Sequence, residues 1–300
     1  MRWSISLHTT FRRCQKQFFF QHLMASHNAH DPLRREAHIL RQLKPLAMWR
    51  GSLVHDMLNR YFVPSLKSGS LIAERDMLQR TLTLADQQFA FSKERRYRSG
   101  ISKSKAGEQF CALLEHDFGQ EIVSDDISRL KEETTRCYAN LYQNKSLQDT
   151  LRQGTWYSSE INVPFSLEGV TVAAILDLVF FTKDALHVVD WKIGESASSD
   201  YAPQMLIYAL ATVNKWNRSL ETIKLWEVNL LKDCITEHTV TEDKLDSAED
   251  FIYRSVSDIL SLTEDRSYTE LDFHDFDCAN TSNTCAYCKF RSLCLKMLHE

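Results

Sequence analysis

Glycine and proline are scarce in this chain, and long apolar runs are absent. Its 300 residues include 8 glycines and 5 prolines, which excludes a collagen-like, linker-rich or low-complexity protein. No stretch approaches the roughly 20 apolar residues that a membrane span needs. The first 17 residues also lack the apolar core of a secretory signal. We therefore expect a cytoplasmic protein with no membrane partner.

Charge of one sign is also lacking, because the formal net charge is only −4. That average hides an asymmetry along the chain. Residues 1–50 carry nine Lys or Arg against two Asp or Glu, and residues 91–105 carry six against one, whereas residues 241–300 carry six against thirteen. The basic runs are interpreted either as solvated helix ends and loops or as contacts for a polyanion backbone. In the second interpretation Tyr97 is available for base stacking.

What the sequence does contain is a change of pattern near residue 156. Residues 1–150 have mostly helical periodicity, and residues 156–193 read as three short strands rich in β-branched and aromatic residues. A helix at 202–216, two more strands, a helix at about 243–262 and a cysteine-rich tail follow. We therefore predict an α/β fold.

Two acids and a lysine fall within apolar strand sequences. Asp177 lies in an apolar strand, and Asp190 and Lys192 end the next strand. Residues two apart on a strand share a face, and a hairpin would set Asp177 opposite Asp190. In the alternative interpretation, Asp177 is a turn or edge residue and Asp190 and Lys192 form an exposed ion pair. The apolar residues on both sides favour burial instead, and buried carboxylates need partners. This set predicts a site for a hard divalent cation such as Mg²⁺.

These residues resemble the D…(D/E)-x-K signature of the PD-(D/E)XK nuclease superfamily. Gln204 and Tyr208 follow as in the Q-x-x-x-Y motif of its RecB-like branch, and Gly51–His55 resembles that branch's G-x-x-x-H helix. The match departs from the family around Asp177, where its usual glycine and arginine are missing, and at Trp191, where Tyr or Phe is commoner. Both departures bear on substrate positioning.

The resemblance implies a restriction-endonuclease-like core with a mixed central sheet and flanking helices. It implies a single nuclease domain over residues 1–300, in which 1–50 is an N-terminal segment, 51–150 a helical insertion, 156–262 the catalytic core and 278–300 a cysteine cluster.

It also implies roles for individual residues. The metal ligands would be His55, Asp177, Asp190 and the carbonyl of Trp191, with Mg²⁺ or Mn²⁺ as the ion. Lys192 would orient the attacking water, while Gln204 and Tyr208 would position the DNA strand or support Lys192. Glu160 lies where related enzymes often carry another acid.

Eight cysteines in a cytoplasmic protein do not indicate a disulfide framework, so a metal or cluster site is the better interpretation. Cys285, Cys288 and Cys294 have metal-ligand spacing, and Cys14, Cys278, Cys234 and the histidines are candidates for a fourth ligand. Local spacing favours Cys278, and a zinc knuckle formed by Cys278, Cys285, Cys288 and Cys294 is possible.

The resemblance selects Cys14 instead. In the group of AddB-like and CRISPR-associated nucleases, four such thiolates hold a [4Fe-4S] cluster that joins the two chain ends. Tyr287 and Phe290 would then shield the cluster. Cys111, Cys137 and Cys234 are interpreted as packing residues, and Cys278 stays unassigned.

The function implied is a metal-dependent DNA nuclease, an exonuclease acting on single-stranded DNA or DNA ends. No G-x-x-x-x-G-K-[ST] loop is present, so unwinding would need a helicase or another complex subunit. The alternatives are a non-catalytic DNA-end-binding subunit of a repair, CRISPR or anti-phage complex, and a zinc-binding regulatory protein.

Overall fold

A computed structural model describes residues 1–194, 202–264 and 266–299. Within these ranges the α-helices are α1 (Ile5–Arg13), α2 (Gln15–Phe18), α3 (Pro32–Gln42), α4 (Leu46–Met57), α5 (Val63–Lys67), α6 (Glu74–Lys93), α7 (Lys103–Ala106), α8 (Leu114–Asp117), α9 (Ser124–Gln143), α10 (Lys145–Arg152), α11 (Ala202–Trp216), α12 (Glu242–Thr263), α13 (Ser282–Ala286) and α14 (Arg291–Leu298). Two π-helical stretches, Phe19–Met24 and Leu58–Phe62, continue α2 and α4. The mainly helical prediction for residues 1–150 is confirmed.

The strands are β1 (Arg2–Trp3), β2 (Trp156–Asn162), β3 (Phe165–Leu167), β4 (Val170–Val172), β5 (Ile175–Phe181), β6 (Leu186–Lys192), β7 (Ile223–Asn229) and β8 (Cys234–His238). They form a five-stranded sheet with the order β2-β5-β6-β7-β8 and a three-stranded sheet with the order β1-β4-β3. In the larger sheet β6 and β7 are parallel and the other neighbours are antiparallel. The sheet is therefore mixed, as predicted.

The chain forms two compact units. Unit 2 comprises residues 44–165 and 173–248, with the five-stranded sheet and helices α4 to α11. Its apolar core joins α4, α6 and α9 to one face of β5 and β6 and includes Leu53, Tyr138, Phe180, Val189 and Trp191. The strand β6 is buried over six of its seven residues, as expected of a central strand with a parallel neighbour.

Unit 1 is assembled from three separated stretches, residues 1–43, 166–172 and from 249 onward. The strand β1 pairs in parallel with β4, and Trp3 Nε1 donates a hydrogen bond of 2.8 Å to Ser255 Oγ on α12. Phe19 and Phe20 are buried and contact the rings of Phe276 and Phe290 at centroid distances of 4.9 and 5.4 Å. Aromatic packing therefore links the early residues of the sequence to the late ones.

The strand prediction for residues 156–193 is correct in type but wrong in number. The first predicted strand is divided into β2 and β3, and the second into β4 and β5. The strands β3 and β4 pair with each other in the smaller sheet. Pro164, which lacks a backbone donor, lies at the first break. Glu168 and Gly169 between β3 and β4 have φ of 44° and 85°, the positive values typical of a two-residue hairpin turn.

Among the described residues, no helix combines the length and the apolarity that crossing a membrane requires.

Candidate active site and cysteine cavity

The carboxylates of Asp177 and Asp190 come from neighbouring antiparallel strands of unit 2. The β5–β6 ladder runs from Phe181↔Leu186 to Leu178↔Val189, so the next position along it sets Asp177 opposite Asp190. At that position Asp177 Oδ2 accepts a hydrogen bond of 2.9 Å from the backbone N–H of Trp191. The side chain of Asp177 thus occupies the edge where the ladder ends.

His55 reaches the same carboxylate from α4. Its Nδ1 lies 3.5 Å from Asp177 Oδ2. Gly51 and Ser52 precede it on this helix, and no atom lies within 4 Å of a Cβ added at Gly51. Space alone therefore does not require glycine at position 51. The structure brings His55 and Asp177 together, as the motif order predicted.

Asp190, Lys192, Gln204 and Tyr208 form one continuous polar group. Lys192 Nζ lies 2.5 Å from Asp190 Oδ2 and donates to Gln204 Oε1 at 3.0 Å. The Gln204 amide in turn donates to Asp190 Oδ1 at 3.4 Å and to the Tyr208 hydroxyl at 2.6 Å. Because α11 places Gln204 and Tyr208 four residues apart on one face, both reach the two acids and the lysine.

Burial controls the electrostatics of this group. It raises the pKa of Asp177 to about 6, and burial together with the nearby Asp177 charge raises the pKa of Asp190 to about 6. Burial also lowers the pKa of His55 and raises that of Tyr208. Ionisation of both acids is therefore costly in the folded protein, because each charge is desolvated and repels the other.

A hard divalent cation fits this donor set. The site offers two carboxylates and an imidazole. Hard divalent cations prefer oxygen ligands, and a cation would offset the charge of the two carboxylates. In the described part of the chain, no group of three or more His, Cys, Asp or Glu side chains is drawn together as tightly as a bound metal ion requires. The acids would thus have to close around an ion.

Glu160 is distinguished by its backbone. It lies on β2 at a point missing from the ladder between Ser159↔Leu178 and Ile161↔Leu176, and its φ is 46°. A non-glycine residue in this region is strained, and such strain often occurs at functional sites. The Glu160 carboxylate contributes to the pKa shifts of both Asp177 and His55. Its position is therefore beside the acids, as the sequence suggested.

A second feature lies in unit 1, where five cysteines line one cavity of about 210 Å³: Cys14, Cys278, Cys285, Cys288 and Cys294. All five are free thiols. Burial raises the pKa of Cys294 to about 12, with further contributions from neighbouring Cys278, Cys14 and Cys288. The four predicted ligands thus line one cavity together with Cys278. Either Cys14 or Cys278 could be the fourth ligand beside Cys285, Cys288 and Cys294.

The other three cysteines lie elsewhere. Cys111 and Cys137 are buried, as expected of packing residues. Cys234 is exposed at the start of β8, so its interpretation as a packing residue is wrong.

The aromatic residues near the cysteines differ in their exposure. Phe290 is buried and lines the cavity, as predicted. Tyr287 is 73% exposed, so its role in shielding a cluster stays a prediction.

Lys16 is a residue whose importance the sequence did not reveal. It is 4% exposed and lines the cysteine cavity. Its Nζ donates hydrogen bonds to the carbonyls of Phe273, at 3.1 Å, and Phe276, and it lies 4.4 Å from the centre of the Phe273 ring. A lysine two residues after a candidate ligand is the only sequence signal for it. The buried ammonium brings positive charge to a cavity lined by thiols.

Tyr97 is not available for base stacking. It is 3% exposed, and its hydroxyl donates to Asp117 Oδ1 at 3.0 Å. Arg98 also pairs with the Asp117 carboxylate, and Arg95 donates to the carbonyl of His116. Two of the cations in the basic run at 91–105 are therefore engaged in contacts within unit 2.

The sequence and the fold were compared with known proteins. No curated protein matches the sequence. Among solved structures, a "putative exonuclease" from Eubacterium rectale has 12% identity and a TM-score of 0.38, with 78% of this chain and 90% of that one covered. Protein VC1899 from Vibrio cholerae has 12% identity and a TM-score of 0.25, with coverage of 79% and 54%.

The family comparison spans nearly the whole sequence. A family model described as the PD-(D/E)XK nuclease superfamily matches residues 2–295, a range that includes the two acids, Lys192 and all eight cysteines. The chain belongs to the PD-(D/E)XK nuclease superfamily.

Proposed function

We propose that this protein is a Mg²⁺- or Mn²⁺-dependent deoxyribonuclease of the RecB-like iron–sulfur branch, an exonuclease acting on single-stranded DNA or DNA ends. One observation carries the proposal. Six side chains that lie far apart in the sequence, from His55 to Tyr208, meet in one polar group around two buried carboxylates. Superfamily membership supplies the nuclease chemistry.

In this proposal Asp177, Asp190, His55 and the Trp191 carbonyl hold the divalent cation. The ion, when bound, lowers the pKa of water and polarises the phosphoryl oxygens. The Asp177 carboxylate is fixed by the Trp191 N–H, so it is oriented before the ion arrives. The Asp190 carboxylate is held by Lys192 and Gln204. Each carboxylate thus has a protein partner that sets its direction.

Lys192 is the residue proposed to act on the reacting groups. Its ammonium is mostly buried, lies 2.5 Å from Asp190 and donates to Gln204. A cation fixed in this way can orient a water molecule and stabilise negative charge that develops on the phosphate. Gln204 and Tyr208 act through Lys192 and Asp190 and are therefore positioning residues.

For the cysteine cavity we propose a structural [4Fe-4S] cluster held by Cys14, Cys285, Cys288 and Cys294. The shared cavity and the buried Lys16 support an anionic tetrathiolate centre. Anaerobic purification tests this directly. A brown protein with broad absorbance near 400 nm is expected, and Cys278→Ser should keep that colour. A colourless protein with stoichiometric zinc would overturn the cluster and favour a zinc centre.

We further propose that the whole chain works as one cytoplasmic nuclease domain. Unit 1 is built from three separated stretches, so it is not a continuous piece that could be cut away as a separate domain. The basic segments 1–50 and 91–105 would contact the DNA backbone through those cations that are not engaged within the protein. A helicase or other complex subunit would supply unwinding.

Degradation of end-labelled single-stranded DNA tests the proposed activity. The wild type should degrade the DNA with Mg²⁺ or Mn²⁺ and not with EDTA, and Lys192→Ala should be inactive. Lys224→Ala, which removes a lysine that is paired on the surface of β7, is the matched control. Equal activity of wild type and Lys192→Ala would contradict the proposal. DNA binding without cleavage by the wild type would favour the end-binding alternative.

A further inference from the structure

A large pocket lies in unit 2 where α5 ends and where α10 turns into β2. Its volume is about 720 Å³, and its lining includes Lys67, Gly69, Arg152, Gly154 and Trp156. We call it the Trp156 pocket. No Asp or Glu lines it. Nothing in the catalytic group described above accounts for it.

Trp156 is the unusual residue of this pocket. Its exposed fraction is 43%. The sequence has six tryptophans, and among the described residues Trp156 is the one that is exposed. Its ring contacts Phe181 at a centroid distance of 5.4 Å, so it is supported from one side. An indole supported on one side and open on another is a surface on which a nucleic-acid base can stack.

Two cations share the pocket with this indole, and a third lies over the ring that supports it. Lys67 and Arg152 line the pocket with it, and the Arg218 guanidinium lies 5.6 Å from the centre of the Phe181 ring. Arg152 lies 3.6 Å from the carboxylate of Asp149, and both side chains are more than 60% exposed. Such a surface pair is weak, so Arg152 can exchange it for a phosphate. The chemistry therefore fits a strand with planar bases and a negative backbone.

The position of Trp156 relates the pocket to the catalytic acids. Trp156 pairs with Phe181 across the β2–β5 ladder, and Glu160 and Asp177 lie four residues away on these two strands. Alternate residues of a strand share a face, and the rise is about 3.3 Å per residue. Along the regular strand β5, Phe181 and the Trp156 ring that contacts it therefore lie about 13 Å from Asp177 on the same face. The strand β2, which carries Trp156, is an edge strand of the sheet.

We propose that the Trp156 pocket binds single-stranded DNA, with a base stacked on Trp156 and phosphates on Lys67 and Arg152. The strand then runs along β2 to the catalytic acids. The inference rests on the proposed function, since it assigns a binding site to the same substrate.

Binding of a labelled oligothymidylate, measured by fluorescence anisotropy in the Lys192→Ala background, tests the pocket. Trp156→Ala should raise the Kd about tenfold, because the base loses the aromatic ring on which it stacks. Trp156→Phe should restore most of the affinity. Phe118→Ala removes another exposed aromatic residue of unit 2 and is the control. A Kd for Trp156→Ala equal to that of the control overturns the proposal.

Intrinsic tryptophan fluorescence gives a second measurement that needs no folded alanine variant. Oligothymidylate should quench the wild type, and Trp156→Phe should lose most of that quenching. Undiminished quenching in Trp156→Phe would overturn the pocket as the stacking site. Cleavage is measured separately, so a wild type that binds DNA through Trp156 without cleaving it contradicts the nuclease proposal alone.

Discussion

At the scale of single residues, function and stability oppose each other in the proposed catalytic group. Asp190 is buried and Asp177 is half-buried beside it, and their desolvation raises the pKa of each to about 6. Above that pH both are ionised in the folded protein at a cost in folding free energy. The two ionised acids therefore lower the stability of the folded protein. Their presence is expected if a bound cation offsets their negative charge.

We therefore predict that Asp177→Asn abolishes cleavage and raises the melting temperature of the metal-free protein. The gain should be about 1–2 kcal/mol, or a few degrees. The sign follows from the raised pKa. The unfolded state holds the proton less tightly, so the wild type loses stability as pH rises through about 6. The gain should thus be complete above pH 6 and shrink as the pH falls below it.

Thermal melts in EDTA between pH 5 and 8 measure this effect. Asp184→Asn changes an exposed acid in the turn of the same hairpin and is the control. A variant Asp177→Asn that melts below the wild type at pH 8 would contradict the prediction.

Gln204 gives a second prediction at this scale. It bridges Lys192, Asp190 and Tyr208, so its loss frees the lysine to move. We expect Gln204→Ala to lower kcat about 10- to 100-fold, as is typical for partners that orient ligands, and to change the KM for DNA little. Steady-state kinetics on labelled DNA measure both. An unchanged kcat, matching the control Asn214→Ala on the exposed side of α11, would refute the bridging role.

At the scale of elements, the strands show how far the sequence could be read. Alternation and β-branched residues predicted the segments of β5, β6, β7 and β8, and helical periodicity predicted α11 and α12, because these signals are local. The division of residues 156–181 between two sheets was not predictable in this way. Which sheet β4 joins depends on its pairing with β1, a partner about 170 positions away.

In the site, too, the sequence predicted the pairs that local spacing determines and missed the contacts between residues distant in the sequence. The spacing of Asp190 and Lys192 and of Gln204 and Tyr208 was readable, because a strand period and a helix turn fix each pair. The burial of Tyr97 was not, because it depends on Asp117 from α8. Lys16 was missed for a similar reason, since its partners lie beyond residue 270.

Lys16 supplies the prediction for this scale. Its ammonium holds α2 to the carbonyls of the segment that leads to Cys278. We expect Lys16→Met to lower the free energy of unfolding by about 1–3 kcal/mol, because two buried carbonyls lose a charged donor. Hydrogen exchange should rise at residues 273–278.

Arg12→Met, which changes an exposed cation one turn earlier, should leave that exchange unchanged. Unchanged protection of residues 273–278 in Lys16→Met would show that the lysine does not hold the segment.

At the scale of the whole molecule, unit 1 depends on distant parts of the chain. Cys14 and the other four cavity cysteines lie more than 260 residues apart in the sequence and line one cavity. A centre that bridges them closes a very long loop, which constrains the unfolded chain more than a short one would.

We predict that Cys14→Ser lowers solubility and the melting temperature, since the bridging centre is lost together with its contribution of several kcal/mol. Calorimetry of anaerobically purified protein measures the change, together with the absorbance near 400 nm. Cys234→Ser changes an exposed cysteine of unit 2 and should match the wild type. A soluble Cys14→Ser with an unchanged melting temperature would contradict the role of Cys14.

The three-part construction of unit 1 also sets an order of events during synthesis. Residues 44–248 contain the whole of unit 2, so this part can fold while translation continues. Residues 1–43 must wait for the stretch that begins at residue 249, a delay of roughly 10–40 s at about 5–20 residues per second. During that time Phe19 and Phe20, which end up buried, lack their ring contacts with Phe276 and Phe290. We therefore expect a chaperone to bind the nascent chain at this aromatic segment.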